Sequence, residues 1–271
     1  MSVFVLKLVA IIGMLFDHIG AVFATSTPVA FRYIGRMVFP VFAYMIAQGC
    51  KQTKSIYKYL LRLGIFAIIS EVFFDIALMS GRTITESGAP SININFISNT
   101  NVFYTLFLGV ACIAIYEKIK ADLAAKDTGK SKRLHKLLPF LSMVPLVLLG
   151  DILGTDYGSY GILLIVVLYF AKPENKITRS VAIFGYALIE YGYPLIYRFC
   201  YERGIGLFIL PGQMIYWNPI KDAVFSFAFA LIAVPLVFLY NGKQGIKAKW
   251  FFYIFYPAHL AVLAALWYFF A

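Results

Sequence analysis

VFVLKLVAIIGMLFDHIGAVFA, residues 3–24, holds one lysine near its start, Lys7, and one adjacent acid and histidine near its end, Asp17 and His18. Everything else in the stretch is apolar or small. A helix needs roughly 20 predominantly apolar residues to cross the hydrocarbon core of a bilayer, and this run is that long. A lysine followed by an apolar run is also how a secretory signal peptide begins. Here Asp17 and His18 follow and no small-residue cleavage site does, so the stretch reads as a retained first span.

Eight further apolar runs follow at about 31–50, 56–79, 102–121, 136–153, 157–171, 178–198, 222–240 and 249–270. Thr25-Ser26-Thr27-Pro28, the polar stretch from Gly81 to Asn101, Lys172-Pro173-Glu174-Asn175 and Tyr240-Asn241-Gly242 punctuate them. Composition agrees: 61% of the 271 residues are hydrophobic and mean hydropathy is +0.80, where a water-soluble domain is about half apolar. The expected fold is all-α, a polytopic membrane helix bundle of about nine transmembrane helices forming one domain over 1–271. No internal repeat or low-complexity segment interrupts it.

The net charge of +11 does not imply a nucleic-acid partner, because the cations sit between apolar runs and form no basic face or tail. Lys51, Lys54 and Lys58 follow the second run. Lys118, Lys120, Lys126, Lys130, Lys132, Arg133 and Lys136 separate the fourth from the fifth, Lys172, Lys176 and Arg179 the sixth from the seventh, and Lys243, Lys247 and Lys249 the eighth from the ninth. The alternate loops hold mainly Arg82, Arg203 and Lys221. The positive-inside rule then puts the N-terminus in the cytoplasm and the C-terminus outside, in a multi-pass cytoplasmic-membrane protein whose first partner is the lipid bilayer. Cys50, Cys112 and Cys200 have neither disulfide nor zinc spacing and read as packing residues.

An ionisable side chain within a span must find a partner or a water-filled cavity, so each one is a candidate functional group. In the topology above Asp17, His18, Arg32, Arg36, Glu71, Asp75, Asp151, Asp156 and Glu190 collect toward the outer side, with His259 nearer mid-membrane. Arg32 and Arg36 are four residues apart, as are Glu71 and Asp75, so each pair shares a helix face and the two pairs can join helices two and three. Neighbours in a helix diverge by about 100°, so Asp17 cannot orient His18 as a triad acid would, and if His18 is a base its partner comes from another helix. Gly13, Asp17 and Gly20 share a face that permits a close neighbour. Pro257 precedes His259 and frees the Tyr253 carbonyl. Tyr157, Tyr193 and Tyr256 lie near Asp156, Glu190 and His259, where a hydroxyl can donate. The bland alternatives are helix-packing contacts for Asp17 and His18, a satisfied core histidine for His259, and a tight turn for Asn241-Gly242, whose lysine neighbours also suit an anionic cytoplasmic ligand. No HxxxH or HxxE spacing supports a metal.

Asp17-His18-Ile19-Gly20, Gly35-Arg36 with Phe39-Pro40-Val41-Phe42-Ala43, Ser70-Glu71 with Phe74-Asp75, Asp156-Tyr157-Gly158, Tyr240-Asn241-Gly242 and Phe251-Phe252-Tyr253 through Tyr256-Pro257-Ala258-His259 together resemble the TraX family over nearly the whole chain. That family is associated with conjugal transfer and its founding member with N-terminal acetylation of pilin. More distantly, His18 and Arg36 match a first-helix histidine and second-helix arginine of integral-membrane acyltransferases. The resemblance implies transfer of acetyl from acetyl-CoA to an extracytoplasmic amine or hydroxyl, on a pilin or other peptide N-terminus or a sugar. His18 would be base or acyl carrier and His259 second base or orienter. Asp17, Glu71 and Asp75 would tune them, and Arg36, Arg32, Asp156, Tyr157, Asn241 and Lys243 would bind substrate or CoA. A proton-coupled transporter or exporter remains the rival, since intramembrane acids and histidines also build proton relays. A non-catalytic scaffold is the third reading and leaves the buried charge unexplained. Oligomeric state has no sequence signature here.

Overall fold

The computed structural model describes residues 1–79, 83–84, 90–91, 94, 96–97, 99–125, 132–172, 175–204 and 220–270. Among these the chain is helical, apart from turns and a two-residue antiparallel pairing of Thr83–Ile84 with Pro90–Ser91. Arg82, Lys126, Lys130 and Pro173-Glu174, on which part of the loop reading rests, lie outside the described residues.

Helix α1 (Val3–Val22) starts at Ser2, whose hydroxyl accepts from the Val5 amide. The single run expected at 31–50 is two helices, α2 (Ala30–Gly35) and α3 (Val38–Gln52), with Arg36 and Met37 at the break. Pro40 lies in the first turn of α3, where a missing amide donor costs nothing. Helix α4 (Ile56–Phe74), capped by Ser55, widens into a π-helical turn over Asp75–Met79. Helix α5 (Val102–Ala125) follows. The run expected at 136–153 divides into α6 (Lys132–Leu141) and α7 (Val144–Ile152), where Pro139 and Pro145 flank the break. Next come α8 (Gly158–Phe170) and α9 (Lys176–Ala187), which passes through a second π-helical turn, Leu188–Gly192, into α10 (Tyr193–Tyr201). The chain closes with α11 (Ile220–Ala230), α12 (Ala233–Phe238) and α13 (Lys249–Phe270).

All nine apolar runs are therefore helical among the described residues. Five stretches are long and apolar enough to cross a membrane: Val3–Val22, Val102–Ala125, His135–Ile152, Ile220–Phe238 and Lys249–Phe269. Gly158–Phe170 is apolar but shorter. The other runs are interrupted at Arg36 or carry charges such as Arg62, Glu71, Arg179 and Glu190. The protein is an all-helical membrane protein.

Helix α1 packs against α2, α3 and α13, while α5 lies between α4 and α8. The interior is filled by Leu6, Phe39, Tyr44, Ile113, Ile165, Leu168 and Leu260, each almost wholly buried. Outward faces carry exposed Ile12, Leu61, Ile68, Val181, Ile254 and Val262, which lipid solvates. Because lipid is as apolar as these side chains, the helices are held together by close packing and interhelical polar bridges more than by hydrophobic exclusion. The starts of α1, α4 and α13 share one end of the bundle with the finish of α3. The finish of α1, helix α2, the α7–α8 turn and the start of α11 share the other.

The α5–α8 contact offers a test of this packing. A Cβ placed on Gly109 would lie 2.6 Å from Ile165 Cδ1 and 3.1 Å from its Cβ, whereas one on Gly185 would meet nothing within 4 Å. Gly109→Val is expected to destabilise the protein by about 1–3 kcal/mol through overpacking, with Gly185→Ala neutral or slightly stabilising. Thermal unfolding of both variants in the same detergent measures the difference.

Candidate active site

A cavity of about 880 Å³ opens at the end of the bundle formed by the finish of α1 and the α7–α8 turn. Asp17, His18, Arg32, Arg36, Asp156, Tyr157 and Glu190 all line it. The polar groups scattered along the sequence thus converge on one space.

The geometry starts from Asp17. Its side chain lies against Gly35, where any Cβ would collide with it, and its Oδ1 accepts from Arg32 Nη1 at 2.5 Å. The same Arg32 nitrogen donates to the Asp17 carbonyl at 3.1 Å. Charge-assisted bonds of this kind are the strong ones in a low-dielectric setting. The expected pairing of Arg32 with Glu71 or Asp75 is not the one formed: α2 lies along α1, so the nearest carboxylate is Asp17. Glu71 instead accepts from the Asn101 backbone amide at 3.0 Å and its side-chain amide at 2.5 Å. Asn101 Oδ1 in turn accepts from the Phe103 amide, capping α5. Glu71 does not line the cavity; it ties α4 to the start of α5. Asp75, buried in the π-helical turn, is also outside the cavity lining, although Phe74 and Leu78 on either side belong to it.

With Asp17 turned toward α2, His18 faces α13. Its Nδ1 lies 2.6 Å from Nε2 of His259, the rings are nearly parallel with centroids 4.9 Å apart, and both are buried. The Nδ1 of His259 is 2.8 Å from the Phe255 carbonyl oxygen. A carbonyl only accepts, so His259 carries its proton on Nδ1 and offers a lone pair at Nε2. Nδ1 of His18 must then donate, which leaves Nε2 of His18 bare on a residue that lines the cavity. The assignment follows from acceptor chemistry and not from observed hydrogens.

Arg36 differs from Arg32. No salt bridge engages it among the described residues, its Nε has no hydrogen-bond partner there, and the guanidinium stands 5.7 Å from the Tyr191 ring centroid. The opposite wall is the α7–α8 turn. Gly154 and Gly158 adopt φ of 53° and 49°, conformations that favour glycine, and Asp151 accepts from the Ser159 amide at 2.7 Å. The Asp156 amide donates to the Thr100 carbonyl at 2.9 Å, which fixes Asp156 and Tyr157 in place, and the Tyr157 ring stacks on Phe39 at 3.8 Å. Asp156 is open to the cavity yet enclosed by its walls. That enclosure pushes its carboxyl up to about 6, with Asp17 adding to the rise and Arg32 and Arg36 opposing it.

Asn241 and Lys243 lie at the other end of the bundle, beside the chain start, where the Val3 amide donates to the Lys243 carbonyl at 2.9 Å. Asp222 and Tyr191 are among the cavity residues that the sequence does not single out. Asp222 in the first turn of α11 accepts from the Tyr33 hydroxyl, and Tyr191 lines the cavity from the second π-helical turn. A lone carboxylate, beside Lys221, opening a mostly apolar helix is the available signal for Asp222. Among the described residues no group of three or more His, Cys, Asp or Glu is placed to hold a metal ion.

The family model described as TraX protein matches residues 2–267. The chain is 26% identical over 272 residues, covering 97% of it and 95% of the relative, to a protein of Dichelobacter nodosus described as probable fimbrial assembly protein FimC, serogroup H1. No solved structure matches the chain.

If Asp156 titrates near 6, a pH-difference infrared spectrum contains a protonated-carboxyl band that disappears as pH rises through that value and is missing from Asp156→Asn. A wild-type spectrum identical to that of the variant between pH 4 and 8 counts against the assignment.

Proposed function

The chain belongs to the TraX family, and from that premise we propose that it is a membrane-embedded acyltransferase, moving acetyl from acetyl-CoA to an amine or hydroxyl on the extracytoplasmic side. The observation that carries this reading is the His18–His259 pair at the cavity, with the Phe255 carbonyl dictating its tautomer. Base catalysis near neutral pH needs a neutral imidazole nitrogen within reach of the acceptor proton, and Nε2 of His18 is such a nitrogen.

In this mechanism the acceptor N–H or O–H gives its proton to His18 Nε2 as its lone pair attacks the thioester carbonyl. A tetrahedral oxyanion forms, and Arg36 supplies the cation for it. Collapse forms the new amide or ester, breaks the C–S bond, and returns the proton from His18 to the CoA thiolate. His259 is a positioning residue that holds His18 by accepting the His18 Nδ1–H at its own Nε2. Arg32, occupied by Asp17, keeps α2 against α1 so that Arg36 at the end of α2 projects into the cavity.

The loop charges support nine crossings with the N-terminus cytoplasmic and the C-terminus outside, which turns the cavity toward the extracytoplasmic face of the inner membrane. An appendage subunit presented there is the acceptor that the fimbrial relative favours.

With acetyl-CoA and an acceptor in nanodiscs, His18→Ala is expected to lower CoA release by about 10²–10⁴-fold, the usual range for a general base, with the protein still folded. Wild-type rates in both His18→Ala and His259→Ala would sink the mechanism, and pH-gradient-driven uptake without CoA release would replace it by transport. For the topology, a reporter that is active only outside the cytoplasm should be active when fused after Ala271; activity there of a cytoplasm-only reporter reverses the orientation.

A further inference from the structure

A second opening enters from the opposite end of the bundle. It is a slot of about 180 Å³ whose mouth is formed by Val3 and Lys7 of α1, Gln52 of α3 and Gln244. Its inner end is closed by Met14 and Tyr256. The Tyr256 ring stands 6.0 Å from that of His18 and 5.5 Å from that of His259. The slot therefore approaches from below the same histidine pair that the large cavity reaches from above. Lys7 and His18 lie on one helix, about 16 Å apart along its axis at 1.5 Å per residue.

Two polar groups in its walls have hydrogen-bonding capacity to spare. Gln48 is 7% exposed and its side-chain amide nitrogen has no hydrogen-bond partner among the described residues; Tyr256 is 3% exposed and its hydroxyl proton has no acceptor there. Leaving a buried polar group in this state is costly, and native interiors satisfy nearly all such groups. Away from the mouth the other wall residues, apart from the tyrosines Tyr59 and Tyr253, are apolar or glycine, with Ile11, Met45 and Phe103 among them. The occupant that relieves the two polar groups without disturbing the rest is thin, flexible, largely apolar and punctuated by amides.

The mouth has its own chemistry. The Lys7 ammonium sits 5.2 Å from the Phe252 ring centroid and meets no carboxylate among the described residues. The Lys243 carbonyl and Gln244 carbonyl accept from the Val3 and Phe4 amides, so the Lys243 to Lys249 segment begins at this mouth. Such a rim suits phosphates.

We infer that the slot is the donor subsite, taking the pantetheine arm of an acyl-CoA from the cytoplasmic end and delivering its thioester to the His18–His259 pair, while the CoA phosphates stay at the Lys7 and Lys243 rim. This rests on the acyltransferase reading above and adds to it a separate entrance for the donor. Donor and acceptor then meet from opposite ends, and neither substrate has to pass the other.

The test uses the full chain in nanodiscs with coenzyme A as the probe. Calorimetric affinity for CoA should weaken at least tenfold in Gln48→Leu, which removes the amide, and in Ile11→Phe, which fills the slot, each with an unchanged unfolding midpoint. In the unsubstituted chain, CoA should slow amine-reactive labelling of Lys7 read by mass spectrometry; this arm decides where a variant fails to fold. If acetyl-CoA is turned over but the folded variants keep wild-type CoA affinity, or Lys7 labelling ignores saturating CoA, the slot is not the donor subsite and the acyltransferase reading stands. If the unsubstituted chain neither binds CoA nor releases it from acetyl-CoA, both readings fall.

Discussion

A carboxylate on a lipid-embedded helix must be met by a partner at close range, and the contact between Asp17 and Arg32 sets the arrangement of everything around it. Gly35 has no side chain, so Asp17 can lie against α2, and Arg32 can close on it. Residues 17 and 18 point about 100° apart. Once Asp17 is committed to α2, His18 turns toward α13, and the histidine pair follows. The break between α2 and α3 then leaves Arg36 at the cavity with no salt bridge among the described residues.

The two π-helical turns serve the same end of the molecule. Single wide turns inside α-helices recur at functional sites because they shift the register of every later side chain. Asp75–Met79 and Leu188–Gly192 both sit at the cavity end of their helices. The second brings Glu190 and Tyr191 to the wall together, which an unbroken helix, diverging neighbours by about 100°, does less readily. The α7–α8 turn completes the wall with two glycines at positive φ and the Asp151 contact to the Ser159 amide.

Apolar runs were legible because their signal is local: twenty residues suffice to declare a span. The convergence of Asp17, His18, Arg36, Asp156 and Glu190 was legible too, since charge in a span needs a common reason. Pairing was not. Arg32 at i, Arg36 at i+4, Glu71 and Asp75 offered matched faces, yet helix α2 lies along α1 and Glu71 meets Asn101, whose amide the sequence does not advertise. The need for a partner to His18 from a distant helix could be argued from the 100° divergence; that the partner is His259, 241 residues away, depends on how α13 docks. Helix breaks at Arg36, between Pro139 and Pro145 and before Pro235 divide runs that hydropathy alone joins.

The first residues of α1 are strapped to the segment before α13. The Val3 and Phe4 amides donate to the Lys243 and Gln244 carbonyls, and the Asn241 amide donates to the Met1 carbonyl. Contacts so far apart in sequence form only after the intervening chain has been made, so α1 waits for the segment before α13 before its own end settles. Assembly of this bundle is thus circular and not a relay from first helix to last. The histidine pair shares that closure: His18 is complete as a chemical group only when α13 arrives, so a stalled or truncated nascent chain carries the base without the partner that orients it.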